Sequence, residues 1–377
     1  MIKFRRSSKK LLTATFDRGP ARYFHGRKQV LNNFHELVSS SVQAEGGTIF
    51  LIQGAPGVGK SALLHECERL ARERGWKTVE IDAPALWDTD SLRDFLGRGF
   101  FSGIASLALK IGWRKIVDAE VRVESVSRTI RKLLQKGKQP LLLILDEAQT
   151  LGITNKPPKE LEGATTNVLN HIHNGKLGRP VIFLVAGLKG TKDAFAKLGI
   201  SRFSANCIVE LGALGREPER AIIQDWLTKE GRAKGNTTEW IDTIAQETHG
   251  WPQHIQVYVR PAAKQLKSNN GILTTEGLNV VLEEGRKECK VYYSQRLDDF
   301  RGDQIRCLAR SIPEKPQERS VKYEDVISSL TEQYGKGEAE ELFDRLIKKG
   351  ILEESERGYA IPIPSMHTWL RDTYSHG

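Results

Sequence analysis

The chain has 377 residues, 39% of them hydrophobic and 28% charged, which predicts two or three folded domains and excludes a disordered protein. The formal net charge is +10, and the four cysteines are scattered without a CxxC pair, which is typical of reduced thiols in a cytoplasmic protein and argues against a cysteine-built metal site. No segment reaches the roughly 20 apolar residues of a membrane helix, and the basic start lacks the apolar run of a signal peptide, so we expect no membrane contact.

Positive charge is concentrated in two places. Residues 1–30 hold nine lysines and arginines against one acidic residue, and residues 110–138 hold nine against three. Residues 301–377 instead carry twelve basic and fourteen acidic side chains. The basic arm at 1–20 and the internal segment either attract a polyanion such as nucleic acid or form solvated surfaces, and charge alone leaves both interpretations open.

The first predicted elements surround a glycine-rich turn. Residues 48–53 form a short apolar run, typical of a buried parallel strand, and a helix follows from Ser61 to about Arg74. The residues between them fit the pattern GxxxxGKS, in which glycine amides face phosphate oxygens, the lysine supplies charge and the serine hydroxyl binds magnesium. The alternative is a chance match in a loop, against which the strand–helix context argues. The predicted phosphate-binding residues are Gly54, Ala55, Pro56, Gly57, Val58, Gly59, Lys60, Ser61 and Ala62.

A second strand is predicted at 77–82, and a long basic insertion follows at about 84–138. Near the end of the insertion, apolar residues at helical spacing alternate with arginines and lysines. This pattern predicts either a core-packed helix with a solvated basic face or part of a polyanion-binding surface.

The third predicted strand, 141–145, is five consecutive aliphatic residues, and Asp146 and Glu147 follow it directly. Ligands of open α/β sheets collect at the carboxyl ends of the strands. Asp146 is therefore a candidate magnesium ligand, and Glu147 is a candidate for polarising an attacking water. The alternative is a pair of surface acids after a core strand.

Two further strands are predicted at 181–186 and 207–211. Strands that alternate with helical segments predict a parallel sheet with helices on both faces, and we assign residues 21–215 to this nucleotide-binding α/β domain. Helical periodicity at 216–290 predicts a helical lid with helix starts near Thr237 and Thr274.

Residues 291–377 have the pattern of a small α+β winged-helix domain: three helices, a β-ribbon at 352–364 and a final short helix around His367 to Asp372. A winged helix usually places its third helix in the DNA major groove. Here that helix carries four carboxylates, which phosphates would repel, so docking on the lid or on a protein partner is the other interpretation. The four are Glu338, Glu340, Glu341 and Asp344.

The stretches GAPGVGKS and LLLILDEAQ together resemble the AAA+ ATPases, and the resemblance extends over about residues 20–290. It implies that Gly26 and Arg27, in RYFHGRKQVLNNF, lie near the adenine. It also implies a polar γ-phosphate sensor after strand 181–186, where this chain reads Ala186-Gly187-Leu188, so the sensor is missing or supplied by Thr191. The stretch LGISRFSANCIVELGAL resembles the region of the arginine finger, which reaches a neighbouring subunit, and the resemblance makes Arg202 the candidate; local pairing at a helix end is its alternative.

The stretch ETHGWPQHIQVYVR resembles the Gly-x-Pro motif of the STAND branch and its archaeal ATPase relatives, which are kin to origin-recognition ATPases. The resemblance implies a nucleotide contact near Pro252, which also fits the first turn of a helix. Other branches carry a lid arginine just after this point, whereas this chain has Gln253, His254 and Gln256. Two weakened sensors favour slow turnover.

Three functions are compatible with these features. The first is a Mg-ATP-dependent regulatory ATPase that hydrolyses ATP slowly and couples nucleotide state to homo-oligomer assembly and a protein partner, with Lys60, Glu147 and Arg202 as catalytic residues and Ser61 and Asp146 as metal ligands. The second is a DNA-binding AAA+ ATPase of the replication or transposition-regulator kind. The third is a scaffold that does not hydrolyse ATP, against which Glu147 argues.

Overall fold

The computed structural model describes residues 20–41, 47–81, 139–149, 179–197, 200, 203–313, 320–355 and 357–375. The chain divides into two compact units that interleave in sequence. The sheet unit comprises Arg27–Gly212 and Lys336–Pro362, and the helical unit comprises Met1–Gly26, Ala213–Gly335 and Ile363–Gly377. The boundaries at 215 and 290 that we derived from sequence stay predictions.

The sheet unit is built on five parallel strands whose predicted positions are confirmed to within one residue. The spatial order is β2-β3-β4-β1-β5. Every residue of β3 and β4 is buried, as expected for parallel strands covered on both sides. The strands are β1 Gly47–Gly54, β2 Lys77–Ile81, β3 Leu141–Leu145, β4 Val181–Gly187 and β5 Ile208–Leu211.

Helices cover both faces of this sheet, as predicted. They include α1 (Lys28–Ser41), α2 (Lys60–Glu73) and α3 (Thr191–Lys197). Phe34 of α1 contacts Phe50 of β1 at a ring-centroid distance of 5.4 Å, and Phe195 of α3 contacts Phe183 of β4 at 6.3 Å. Phe50 and Phe183 are one residue out of register in the paired strands. Their side chains therefore point to opposite faces, and α1 and α3 lie on opposite sides.

The helical unit begins with four helices in the region predicted to be a lid. They are α4 Arg216–Asp225, α5 Thr238–Thr248, α6 Pro252–Ser268 and α7 Thr275–Arg296, with one π-helical turn at Trp226–Glu230 after α4. The side chain of Thr274 caps α7 by accepting from the Gly277 amide. At α5 the cap is Asn236, whose Oδ1 accepts from the Thr238 amide at 2.9 Å, and Thr237 makes no side-chain cap.

The remaining elements follow the predicted order of three helices, a β-ribbon and a final helix. They are α8 Gly302–Ser311, β6 Ser320–Val321, α9 Tyr323–Tyr334, α10 Lys336–Lys348, β7 Glu353–Ser355, β8 Gly358–Ala360 and α11 Pro364–Tyr374. In the sheet unit, β7 and β8 pair antiparallel, and Phe343 of α10 packs edge-on against Tyr359 of β8. In the helical unit, α8 packs against α9 and α11. The four carboxylates predicted on α10 are exposed.

Candidate functional site

The turn between β1 and α2 has the backbone geometry of a phosphate-binding loop. Gly57 and Gly59 have φ angles of 79° and 94°, in the left-handed region that side chains disfavour. A Cβ on Gly54 would lie 2.7 Å from the carbonyl oxygen of Leu211, which ends β5, so the turn has no room for a side chain there. All nine predicted phosphate-binding residues lie in this turn or in the first turn of α2, and a helix N-terminus behind such a turn favours an anion.

The Lys60 side chain folds back over this turn. Its exposed fraction is 7%, and its ammonium donates hydrogen bonds to the carbonyl oxygens of Gly54 at 2.9 Å and Ala55 at 3.0 Å. The Lys60 ammonium therefore lies against the backbone of the glycine-rich turn, which is where a lysine that binds the outer phosphates is expected.

The two predicted metal ligands are in direct contact. Ser61 Oγ, at the start of α2, donates to Asp146 Oδ2 at 2.6 Å. Asp146 Oδ1 accepts from the backbone amide of Glu147 at 2.8 Å. Hydroxyl and carboxylate oxygens are ligands that Mg²⁺ prefers, and it commonly uses one or two protein groups together with substrate phosphates. The donor set fits a magnesium ion at the carboxyl ends of β1 and β3.

Glu147 has a backbone conformation that is unusual for a residue with a side chain. Its φ is +54°, and residues held in this region cluster at functional sites. Its Oε2 accepts from Gln149 Nε2 at 2.5 Å, and Gln149 Oε1 accepts from the Leu188 amide at 3.1 Å. A hydrogen-bonded link therefore runs from Glu147 to the end of β4.

The end of β4 holds Thr191 in a local role. Thr191 is fully buried, and its Oγ1 donates to the carbonyl oxygen of Leu188 at 2.6 Å. This bond closes the turn between β4 and α3. The hydroxyl that we considered as a substitute γ-phosphate sensor is thus engaged within its own turn.

The side chain of Arg27 contacts backbone carbonyl oxygens of the phosphate-binding turn and of the residue after β5. The guanidinium donates to the carbonyl oxygens of Gly212 at 2.6 Å and Val58 at 3.3 Å, and burial lowers its pKa. Gly26 belongs to the helical unit, where a Cβ would lie 2.9 Å from Pro218 Cβ. Gly26 permits a close backbone approach, and Arg27 ties β5 to the turn.

Pro252 begins α6 in the helical unit, as predicted. The turn before it is held by Glu219, which is buried and accepts from Thr248 Oγ1 at 2.5 Å and from the Gly250 amide at 2.6 Å. Glu219 therefore connects α4 to the Gly-x-Pro motif, a partnership that no motif in the sequence indicated.

His254, which occupies one of the positions near the expected lid arginine, points into the core of the helical unit. It is 1% exposed, and its Nδ1 is 3.1 Å from Ser365 Oγ of α11. The rings of Tyr292 and Tyr293 pack edge-on around it. Burial disfavours the imidazolium and lowers the pKa of His254 to about 3.

Sequence reasoning also missed a set of contacts between α10–β8 and the phosphate-binding turn within the sheet unit. A Cβ on Gly350 would lie 3.1 Å from Pro56 Cδ. Lys189, after β4, donates to the backbone carbonyl oxygen of Glu354 at 2.7 Å. The C-terminal part of the sheet unit therefore touches Pro56 and the loop after β4.

Three predicted features lie outside the described residues: the candidate finger Arg202, the basic insertion at 84–138 and most of the basic arm at 1–20.

The four cysteines are buried and form no disulfide. Among the residues that the structure describes, no group of three or more His, Cys, Asp or Glu could hold a metal ion. No helix in the same ranges is long and apolar enough to cross a membrane.

Comparison with known proteins agrees with this geometry. Residues 23–184 match the AAA ATPase domain, whereas curated protein sequences gave no match. The fold is similar to that of the Walker-type ATPase of Pyrococcus abyssi, at 15% identity and a TM-score of 0.57, over 92% of this chain and 95% of that one. It is also similar to the Aeropyrum pernix ORC2 protein in ADPNP-ADP complexes, at 11% identity and a TM-score of 0.57, over 94% and 95%.

At such low identities the structural likeness establishes the fold alone. Residues 23–184 match the AAA ATPase domain, and the chain has a P-loop ATPase fold that it shares with the archaeal Walker-type ATPase and the ORC2 protein.

Proposed function

We propose that this ATPase is a molecular switch that binds Mg-ATP, hydrolyses it slowly and couples its nucleotide state to self-assembly and to a partner protein. The observation that carries the proposal is the hydrogen bond between Ser61 and Asp146. It joins the first turn of α2 to the end of β3 and brings a hydroxyl and a carboxylate together beside a glycine turn.

Each residue of the turn has a role in nucleotide binding under this proposal. The backbone from Gly54 to Gly59 and the Lys60 ammonium hold the phosphates, while Ser61 and Asp146 hold the metal ion. When bound, magnesium neutralises phosphate charge and orients the phosphoryl group. Glu147 polarises the attacking water and accepts its proton.

Slow turnover is favoured by the side chains at the end of β4 and by the burial of His254. Strand β4 ends with Ala186 and Gly187, and Leu188 follows it; none of the three carries a polar side chain, and the Thr191 hydroxyl donates to the carbonyl oxygen of Leu188. In the helical unit, His254 is buried and bonded to Ser365. Electrostatic stabilisation of the transferring phosphoryl group is commonly the largest catalytic contribution. If the residues after β4 and the lid position of His254 supply no charge to that group, ATP hydrolysis is slower.

Self-assembly would bring in Arg202 as a finger from a neighbouring subunit. An arginine finger stabilises charge on the transferring phosphoryl and raises kcat by about 10³- to 10⁵-fold. Such a dependence makes hydrolysis report on assembly, which is the behaviour of a switch.

A protein partner is favoured over base reading by α10. Its carboxylates are exposed on one helix, and they would be repelled by the phosphates lining a DNA groove. A basic protein surface complements them.

The alternative is a DNA-binding ATPase, favoured by the charge of residues 1–30 and 110–138. Phosphate contacts release counterions, so DNA affinity would fall steeply between 50 and 200 mM salt. Fluorescence anisotropy with a labelled duplex across that range distinguishes the two. Tight, salt-sensitive binding supports the alternative, and its absence supports the protein partner.

The central experiment uses Glu147→Gln, with the exposed Glu73→Gln in α2 as the matched control. We expect Glu147→Gln to bind ATP with wild-type affinity, to hydrolyse it at least about a hundredfold more slowly and to accumulate as the ATP-dependent oligomer in light scattering. Undiminished phosphate release would remove Glu147 as the water-polarising residue, and a monomer at saturating ATP would refute nucleotide-coupled assembly.

Mixing Arg202→Ala with Lys60→Ala protein tests the finger. Each variant alone should be inactive, and the mixture should regain activity where an intact Arg202 meets an intact turn. A mixture as inactive as its components would count against a role in trans.

A further inference from the structure

The side chain of Gln149 bridges two neighbouring strand ends at the nucleotide site. It follows β3 by four residues, and β3 pairs with β4 in register up to Leu145 and Val185. Its amide donates to the Glu147 carboxylate at 2.5 Å and accepts from the Leu188 backbone at 3.1 Å. Both ends of one planar group are therefore engaged, one by the acidic side chain and one by β4.

The hydrogen-bond pattern decides the orientation of this amide. Leu188 offers an N–H and therefore needs an acceptor, whereas a carboxylate can only accept. Rotating the amide by 180° would place oxygen against oxygen and N–H against N–H. Gln149 is thus held in one orientation, and its Nε2 faces Glu147.

The absence of a side chain at residue 187 makes room for this bridge. A Cβ on Gly187 would lie 2.8 Å from Gln149 Oε1 and would also collide with Thr191 Oγ1. The space at the end of β4 is therefore filled by a glutamine that arrives from β3. The Thr191 hydroxyl donates its hydrogen bond to the carbonyl oxygen of Leu188 and not to Glu147.

Holding the Glu147 carboxylate in one position favours its proposed role in polarising the attacking water. Its left-handed backbone, with φ of +54°, aims the side chain in a direction that neighbouring groups must maintain. A glutamate also has three rotatable side-chain bonds, and an anchored carboxylate loses less entropy when it meets a reacting water. The bond from Gln149 provides that anchor, and the link to Leu188 ties it to β4.

We propose that Gln149 is a positioning residue for ATP hydrolysis, which orients the Glu147 carboxylate relative to the end of β4. The proposal rests on the proposed function of Glu147 as the water-polarising group. It assigns Gln149 no contact with the nucleotide and no proton transfer. Loss of its Nε2 donor should therefore lower kcat and leave ATP affinity unchanged.

Two variants separate positioning from folding. Gln149→Leu removes both hydrogen bonds, whereas Gln149→Glu keeps the size and an acceptor for Leu188 but replaces the donor that faces Glu147. We expect each to lower kcat by roughly ten- to a hundredfold, the range caused by small misplacements of catalytic groups, with the Kd for ATP within about twofold of wild type. Gln139→Leu, at the other end of β3, is the matched control and should leave both unchanged; its amide donates to Gly75.

A double-mutant cycle with Glu147→Gln shows whether Gln149 acts through Glu147. Single-turnover hydrolysis is measured for the wild type, both single changes and the double change. If Gln149 acts through Glu147, Gln149→Leu should have no further effect once Glu147 is neutralised. An equal loss in both backgrounds would overturn the proposal, because it would show a general structural role.

The outcomes also distinguish this inference from the proposed function. If Glu147→Gln is slow but Gln149→Glu keeps the wild-type kcat, Gln149 does not position Glu147 and the inference alone is overturned. If Glu147→Gln itself retains the wild-type rate, the proposed function of Glu147 is refuted and the inference with it. Should Gln149→Leu fail to fold, Gln149→Glu and its cycle decide.

Discussion

The change Asp146→Asn separates the structural contacts of Asp146 from its charge. An asparagine oxygen can accept from the Glu147 amide as Oδ1 does now, and its amide nitrogen can donate to Ser61 Oγ, whose hydroxyl can rotate to accept. Both contacts survive in neutral form. We therefore expect a folded protein in which only the negative charge is missing.

The size of each effect follows from these two bonds. A hydrogen bond to a charged acceptor contributes about 1.5–3 kcal/mol and a neutral one about 0.5–1.5 kcal/mol. The free energy of unfolding without ligand should therefore fall by about 2 kcal/mol or less. Losing a charged oxygen ligand should reduce the gain in ATP affinity that magnesium provides by about 10- to 100-fold.

The assay is isothermal titration with ATP in magnesium and in excess chelator, for the wild type, Asp146→Asn and the control Asp193→Asn. Asp193 lies exposed in the first turn of α3, so its change should not alter the ratio of the two affinities. An Asp146→Asn protein that keeps the wild-type ratio would refute the assignment of Asp146 as a metal ligand.

Three further changes test the helical unit. Glu219→Ala removes the acceptor of both Thr248 and Gly250 and should lower the free energy of unfolding by about 3 kcal/mol or more, measured by urea denaturation. Gly250→Ala forces a left-handed alanine at φ +73° against the Leu214 carbonyl and should cost at least about 1–2 kcal/mol in the same assay. His254→Gln should reduce the pH dependence of stability. Burial lowers the pKa of His254 to about 3 in the folded state, against about 6.5 in the unfolded state, so the unfolded state takes up the proton and stability falls by about 2 kcal/mol from pH 7 to pH 5. The exposed His249→Asn should keep the wild-type slope, and a similar slope in His254→Gln would contradict the buried neutral imidazole.

Strands β3 and β4 could be predicted because each is a short apolar run whose residues are all buried, a pattern typical of parallel strands covered on both faces. The order of the strands in the sheet could not be predicted, because strand pairing depends on contacts between residues that are distant in sequence. The last helix begins at Pro364, three residues before the expected start, since proline fits the first helical turn. Helix α7 runs to Arg296, beyond the boundary at 290 that we derived from helical periodicity.

Part of the candidate site could likewise be predicted from the sequence, and part of it required the fold. The contact of Ser61 with Asp146 follows from two motifs at the ends of parallel strands, so the residues could be chosen before their distance was known. The Gln149 bridge needs β3 beside β4, and the sequence, which shows the glycine at 187, does not show that this pairing places Gln149 in the space beside it. Likewise, the burial of His254 depends on Ser365, 111 residues away.

The most direct test of the account is calorimetric titration of Mg-ATP into the wild type, Lys60→Ala and the exposed control Lys287→Ala. We predict one ATP per chain in the wild type and control, and no measurable binding to Lys60→Ala, because the ammonium over the Gly54–Gly59 turn would be gone. Unchanged ATP affinity in Lys60→Ala would contradict the claim that this turn holds the nucleotide.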